Sequence, residues 1–154
     1  MKRLCGKNIV VTGGTSGIGR MSAIKLAEHG ANVIVSGRDE KRGELLAQEI
    51  RLNNGQIKFI KCDVTNKNEV ENLFNFAISY FGSIDCLFNN AGIEGEIASF
   101  SDSTEKNWDS VINTNLKGVW YCMKNAIYHM LLNSRGNILN MSSTSGLVGN
   151  GFGM

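Results

Sequence analysis

Short unbroken apolar runs alternate along the chain with longer stretches whose apolar residues recur every three or four positions. Ile9, Val10 and Val11 form the first run, and β-branched residues without polar alternation suit a strand covered on both faces. The spacing then predicts a helix over 17–30 that offers Ile18, Ile24, Leu26 and Ala27 to a sheet and ends on Gly30. A second strand is expected over 31–36, a second helix from Asp39 to about Leu52, and a third strand over 57–62. Asn66 can cap a third helix, whose Val70, Leu73, Phe74, Ala77 and Phe81 fall on one face and which Gly82 stops. A fourth strand over 84–88 and a polar loop over 94–103 lead into a long helix over about 104–132. That helix carries Trp108, Val111, Ile112, Leu116, Val119, Trp120, Met123, Ile127 and Met130 as its apolar positions. A fifth strand over 137–141 and a glycine-rich tail over 142–154 complete the pattern.

Regular alternation of strand and helix is the pattern of an α/β fold in which helices cover both faces of a parallel sheet. With right-handed crossovers, five such strands give a doubly wound, Rossmann-type, three-layer αβα sheet in the order 3-2-1-4-5. Residues 1–154 read as one dinucleotide-binding domain, with no internal repeat or linker. The loops that follow strands 1 to 4 then share one edge, the side on which such sheets bind ligands.

Composition narrows the function. A net charge of +2 with 42% hydrophobic content is too mild to point to nucleic acid or an anionic membrane surface. Cys5, Cys62, Cys86 and Cys122 are widely separated and include no C-x-x-C pair, which predicts neither disulfides nor a metal site and fits a reduced, cytoplasmic setting. The first residues pass directly into Cys5-Gly6-Lys7-Asn8 without the apolar stretch of a secretory signal, and no run approaches the ~18 apolar residues of a membrane span.

The residues after the first strand read T-G-G-T-S-G-I-G. Gly13 can turn sharply out of the strand, while Gly17 and Gly19 leave room for a phosphate and for close helix packing. A helix start beyond them presents free N–H groups and the positive end of its dipole, so Thr12, Gly13, Thr15, Ser16, Gly17, Ile18 and Gly19 are candidate contacts of a dinucleotide pyrophosphate. Their G-x-x-x-G-x-G spacing differs from the commoner G-x-G-x-x-G, and an ordinary tight turn is the competing reading.

The second strand ends at Ser36-Gly37-Arg38-Asp39, where a dinucleotide fold keeps the group that meets the adenosine ribose. Gly37 stands where an acid would accept from a free 2′-hydroxyl, and Arg38 beside it offers a planar fork suited to a 2′-phosphate. NADP(H) is therefore favoured over NAD(H). In the competing reading Arg38 is a solvated turn residue and Asp39 caps the next helix; an Asp39 turned back to the ribose would restore NAD(H). Asp63 and Val64 end the third strand, where Asp63 could accept from an adenine amino group or simply serve a turn. Asn89, Ala91 and Gly92, in N-N-A-G, follow the fourth strand, and their small residues suit close approach of backbone to a ligand.

The motifs T-G-G-T-S-G-I-G, C-D-V, N-N-A-G, N-L-K-G at 115–118 and N-M-S-S-T-S-G at 140–146 occur in an order and spacing that resembles the short-chain dehydrogenase/reductase family over essentially the whole chain. The resemblance implies a nicotinamide cofactor, a small-molecule alcohol or carbonyl substrate and a homo-dimer or homo-tetramer. It places Asp63 at the adenine and Asn89 in support of the sheet and the nicotinamide ribose. In the family an Asn, Ser, Tyr and Lys tetrad moves a proton while the nicotinamide moves a hydride, and Asn115 and Ser143 match the first two. Asn113 and Ser142 are the neighbouring alternatives; Asn115 is preferred because it shares its helix face more nearly with Ile112 and Leu116.

The family's Tyr lies about thirteen residues beyond that Ser, in Y-x-x-x-K, at positions 156 and 160 of a chain whose last residue is Met154. Tyr80, Tyr121 and Tyr128 are followed four residues later by Ile84, Asn125 and Leu132, and so do not supply the motif. The expectation is a C-terminally truncated, nearly inactive part of an NADP(H)-dependent oxidoreductase, with its fifth strand and the surface around Trp120 left exposed. The alternative is a non-catalytic nucleotide-binding or interaction protein on the same fold.

Overall fold

A computed structural model describes residues 2–148. Its elements run β1 (Asn8–Val11), α1 (Gly17–Glu28), β2 (Asn32–Gly37), α2 (Glu40–Leu52), β3 (Gln56–Lys61), α3 (Lys67–Phe81), β4 (Cys86–Asn89), α4 (Glu105–Ile112), a π-helical stretch (Asn113–Gly118), α5 (Val119–Leu132) and β5 (Asn137–Asn140). The five strands form one parallel sheet in the order β3-β2-β1-β4-β5, as the sequence predicts. Strand ends shift by a residue or two from the apolar runs because ladder pairing, not hydrophobicity, sets them. Gly37 is thus the last residue of β2, opposite Lys61, while Cys62 and Ile84 lie outside their strands and are still buried.

Successive side chains of a strand point to opposite faces, and the central strands feed two cores. Val10, Ile34 and Leu87 pack with Val70, Leu73, Phe74, Cys122 and Ala126 of α3 and α5. Ile9, Val11, Val33 and Val35 pack with Ala23, Ala27, Leu46, Ala47 and Ile50 of α1 and α2. Helices on both faces make the αβα sandwich, and removing a fully buried ring such as Phe74 would cost about 3–5 kcal/mol.

The helix caps follow the sequence. Asn66 Oδ1 accepts from the N–H groups of Asn68 and Glu69, and Gly82 ends α3 in the left-handed region at φ 77°. At the end of α1, Gly30 at φ 90° donates to the Ala27 carbonyl and Ala31 to that of Leu26, a Schellman closure.

Two helix faces differ from the apolar spacing. α1 buries Gly19, Ala23 and Ala27, four residues apart, and leaves Ile18 62% exposed, because small side chains let the helix lie close to the sheet. The predicted long helix is interrupted by the π-helical stretch, and from its last residue onward Gly118, Cys122, Ala126 and Met130 form the buried stripe. Trp108, Leu116 and Ile127, apolar positions of the predicted helix, are exposed, and so is Trp120, around which an uncovered surface is expected. β5 is an edge strand whose Ile138 packs inward while Leu139 and Met141 are exposed. Of the tail, residues 149–154 lie outside the described residues. Among the described residues no helix is long and apolar enough to cross a membrane.

Candidate functional site

Parallel strands place the loops after β1, β2, β3, β4 and β5 on one edge, and side-chain contacts lock several of them together. Thr12 is buried, and its Oγ1 accepts from the N–H groups of Asn90 at 3.1 Å and Ala91 at 3.2 Å. In return Asn90 Nδ2 donates to the Thr12 and Gly13 carbonyls at 3.1 and 3.0 Å. The first and fourth loops are therefore one rigid unit at the point where strand order reverses, between β1 and β4. Gly13, at φ 62°, lies so near Ala91 that a Cβ there would sit 2.7 Å from the Ala91 Cα. A Cβ at Gly19 would strike Asn90 Nδ2 and lie 2.5 Å from the Gly13 carbonyl oxygen.

Gly17 differs from both. Like Gly13 it is left-handed, at φ 50°, but a Cβ there meets nothing within 4 Å. It opens α1, whose N-cap Ser16 makes no side-chain capping bond. Open space thus lies over a helix start whose first N–H groups lack a side-chain acceptor, the arrangement a phosphate needs. Ile18 beside it is exposed and Thr15 half-buried.

At the end of β2, Arg38 is exposed and makes no hydrogen bond or ion pair among the described residues. Asp39 caps α2, accepting from Arg42 N at 2.9 Å and pairing with Arg42 Nε at 3.1 Å. At the end of β3, Asp63 Oδ1 accepts from Thr65 N and Oγ1 at 2.9 and 2.8 Å, and the Asp63 N–H donates to Glu69 Oε2. Val64 is buried under the long helix, where a Cβ at Gly118 would lie 2.8 Å from Val64 Cγ2. The glycine of N-L-K-G thereby brings the helix onto the C-D-V loop.

Asn115 is exposed rather than set on an apolar face, and its partner is main chain. Its Oδ1 accepts from Ile93 N at 2.9 Å and its Nδ2 donates to the Ile93 carbonyl at 2.8 Å. Gly92 lies under it, with 3.5 Å from an added Cβ to Asn115 Oδ1. Asn107 repeats this two-way bond on Glu96, at 2.7 and 3.0 Å, with Gly95 between at φ 77°. Asn89 is buried at 2% exposed; its Nδ2 donates to Asn140 Oδ1, and its Oδ1 has no hydrogen-bond partner among the described residues. Ser143 is exposed and caps a short turn, its Oγ accepting from Ser145 N at 3.3 Å.

The structure therefore joins Thr12, Gly13, Gly19 and Ala91 through Asn90, and separately joins Gly92 to Asn115, whereas no hydrogen bond joins Ser143 to Asn115 among the described residues. Asn107 escaped the sequence reading, and Asn90 entered it only as the second amide of N-N-A-G, without a role of its own. The doubled amide of N-N-A-G was the available signal for Asn90; Asn107 gave none, since an Asn next to Trp108 reads as an ordinary helix residue.

The buried thiols contribute no nucleophile here. Burial, with the charges of Glu69 and Asp63 adding to it, pushes Cys62 from 9.0 to about 12, and burial beside Cys62 pushes Cys122 to about 12. All four cysteines are free.

The sequence profile of a family described as short chain dehydrogenase matches residues 7–154. A 3beta-hydroxysteroid dehydrogenase of Mediterraneibacter gnavus is 38% identical over 149 residues, covering 97% of this chain and 54% of that protein. The 3-oxoacyl-[acyl-carrier-protein] reductase FabG of Staphylococcus aureus is 41% identical over 145 residues, covering 94% and 58%. An L-fucose dehydrogenase of Oryctolagus cuniculus is 38% identical over 147 residues, covering 96% and 50%. The crystal structure of gox2181 superposes with a TM-score of 0.93 at 30% identity, covering 97% of this chain and 58% of that one. The chain spans about half the length of the curated relatives it matches.

Proposed function

Because the chain belongs to the short-chain dehydrogenase family, we propose that the carboxyl edge of its sheet holds NADP(H) for an oxidoreductase that interconverts a secondary alcohol and a carbonyl compound. The observation that carries this reading is Gly17, left-handed and uncovered at the start of an α1 without a side-chain cap. The unpartnered amide oxygen of buried Asn89 at the same edge suits a further polar group of the cofactor. The nicotinamide, when bound, supplies or accepts a hydride.

The residues then divide the work. Thr12, Gly13, Thr15, Ser16, Gly17, Ile18 and Gly19 bind the pyrophosphate and the nearby ribose, Asp63 and Val64 the adenine, and Asn89, Ala91 and Gly92 the nicotinamide side. Arg38 meets the 2′-phosphate; Asp39 stays with Arg42, which removes the competing acid. Ser143 donates to the substrate oxygen and orients it. Asn115 fixes the Ile93 main chain beside it. A homo-dimer or homo-tetramer, a small-molecule substrate and a cytoplasmic setting complete the reading. Residues 1–154 form one domain of that enzyme.

A second reading concerns these 154 residues taken by themselves, which contain no Y-x-x-x-K. As they stand they bind the nucleotide and catalyse little, because losing a general acid costs roughly 10² to 10⁴ in rate. Fluorescence titration with NADPH and NADH tests the cofactor claim: tighter NADPH is expected, and tighter NADH would overturn the role of Arg38. Turnover of a secondary alcohol at an ordinary dehydrogenase rate by the purified chain would overturn the second reading.

A further inference from the structure

We propose that Thr15 is a specificity-determining residue: its branched side chain bars any side chain from position 37 and so leaves recognition of the adenosine 2′ position to Arg38. This rests on the dinucleotide reading of the edge.

A Cβ at Gly37 would lie 2.8 Å from Thr15 Cγ2, 3.0 Å from Thr15 Oγ1 and 3.5 Å from Thr15 Cβ. Either Thr15 or the strand would have to give. The strand is held, because Gly37 is paired with Lys61 in the ladder and its carbonyl accepts from Cys62 N at 3.1 Å. One residue earlier the Ser36 carbonyl accepts from Gly14 N at 2.9 Å, tying the loop that carries Thr15 to the same strand end.

Rotation of Thr15 does not open the space. A side chain has three staggered positions about χ1. Two of them, now filled by Cγ2 and Oγ1, face position 37. Thr has two heavy branches, so every rotamer leaves at least one of those positions filled. Serine has a single branch and therefore one rotamer that clears both. One methyl group thus decides whether position 37 can carry a side chain.

The consequence is chemical. A carboxylate at 37 is the group that would accept from a ribose 2′-hydroxyl and repel a 2′-phosphate. With that position bare and Asp39 committed to Arg42, the side chain left at this strand end is the guanidinium of Arg38.

The test compares the protein with Gly37→Asp, Thr15→Ser/Gly37→Asp, Gly37→Ala, Thr15→Ser and Thr15→Ser/Gly37→Ala. Gly37→Asp alone is expected to weaken NADPH by more than about tenfold without gaining NADH, whereas Thr15→Ser/Gly37→Asp prefers NADH. A cofactor-free readout accompanies it: Gly37→Ala lowers Tm by at least about 3 °C, and Thr15→Ser recovers most of that loss. Gly37→Asp gaining NADH as fully as the double variant, or the Gly37→Ala and Thr15→Ser shifts in Tm adding without recovery, would overturn the lock. Wild-type protein that binds neither cofactor would instead overturn the dinucleotide reading, even with the Tm coupling intact.

Discussion

Asn115 and Ile93 are joined by a reciprocal pair of hydrogen bonds, in which one exposed amide takes up both the N–H and the carbonyl of one loop residue. Asn115→Ala leaves both groups to water, and a loss of about 0.5–1.5 kcal/mol in urea unfolding is expected. Asn115→Asp should cost more, since a carboxylate oxygen replaces the donor and faces the Ile93 carbonyl. Faster amide exchange at Ile93 in Asn115→Ala would tie the loss to this bond, and unchanged exchange there would contradict it.

Gly118 and Val64 make a second discriminating pair. Gly118→Ala presses a methyl against Val64 Cγ2 and is expected to destabilise by about 1–3 kcal/mol. Val64→Ala removes that branch but leaves its Cβ and carbonyl oxygen at 3.1 and 3.2 Å, so the double variant should recover part of the loss and not all of it. Simple additivity in a double-mutant cycle would contradict the contact.

The contrast between these two pairs shows where the sequence was legible. Strand order, cap residues and the glycine loop were readable because local chemistry dictates them: Asn66, Gly30 and Gly82 each sit where only a cap or a left-handed turn fits. The helix faces were not. Apolar spacing puts Ile18 and Leu116 on the inward faces, but the sheet selected the small stripes Gly19-Ala23-Ala27 and Gly118-Cys122-Ala126, which periodicity of large residues does not reveal. Asn115 was found by motif, yet its main-chain partner depends on a π-helical turn that no local propensity signals. The clasp of Thr12 on Asn90 spans 78 residues and is a product of topology.

Charge should govern the ribose end. Replacing Arg38 by Ser removes charge-assisted bonds worth about 1.5–3 kcal/mol, so NADPH binding is expected to fall roughly 10- to 100-fold while NADH changes little. The difference should shrink with added salt, because Arg38 is exposed. Equal losses for both cofactors would contradict the assignment.

Alkaline pH should unfold the protein through its buried thiols. Cys62 and Cys122 are raised from 9.0 to about 12 by burial. Between those values the unfolded chain has lost thiol protons that the folded chain keeps, so stability is full below about pH 9 and falls as pH rises toward 12, by up to about 1.4 kcal/mol per pH unit for each thiol. Cys62→Ala/Cys122→Ala should flatten the Tm-against-pH curve over that window, and an unchanged slope would contradict the account.

The central claim is that one edge of the sheet binds a nicotinamide dinucleotide. Amide resonances of the isotope-labelled protein titrated with NADPH test it most directly. The account predicts saturable shifts at Gly13, Gly17, Gly19, Arg38, Asp63, Ala91 and Gly92, with Asn8, Asn32 and Asp85 at the opposite edge unmoved. Shifts confined to that opposite edge, or none at saturating NADPH and NADH, would contradict it.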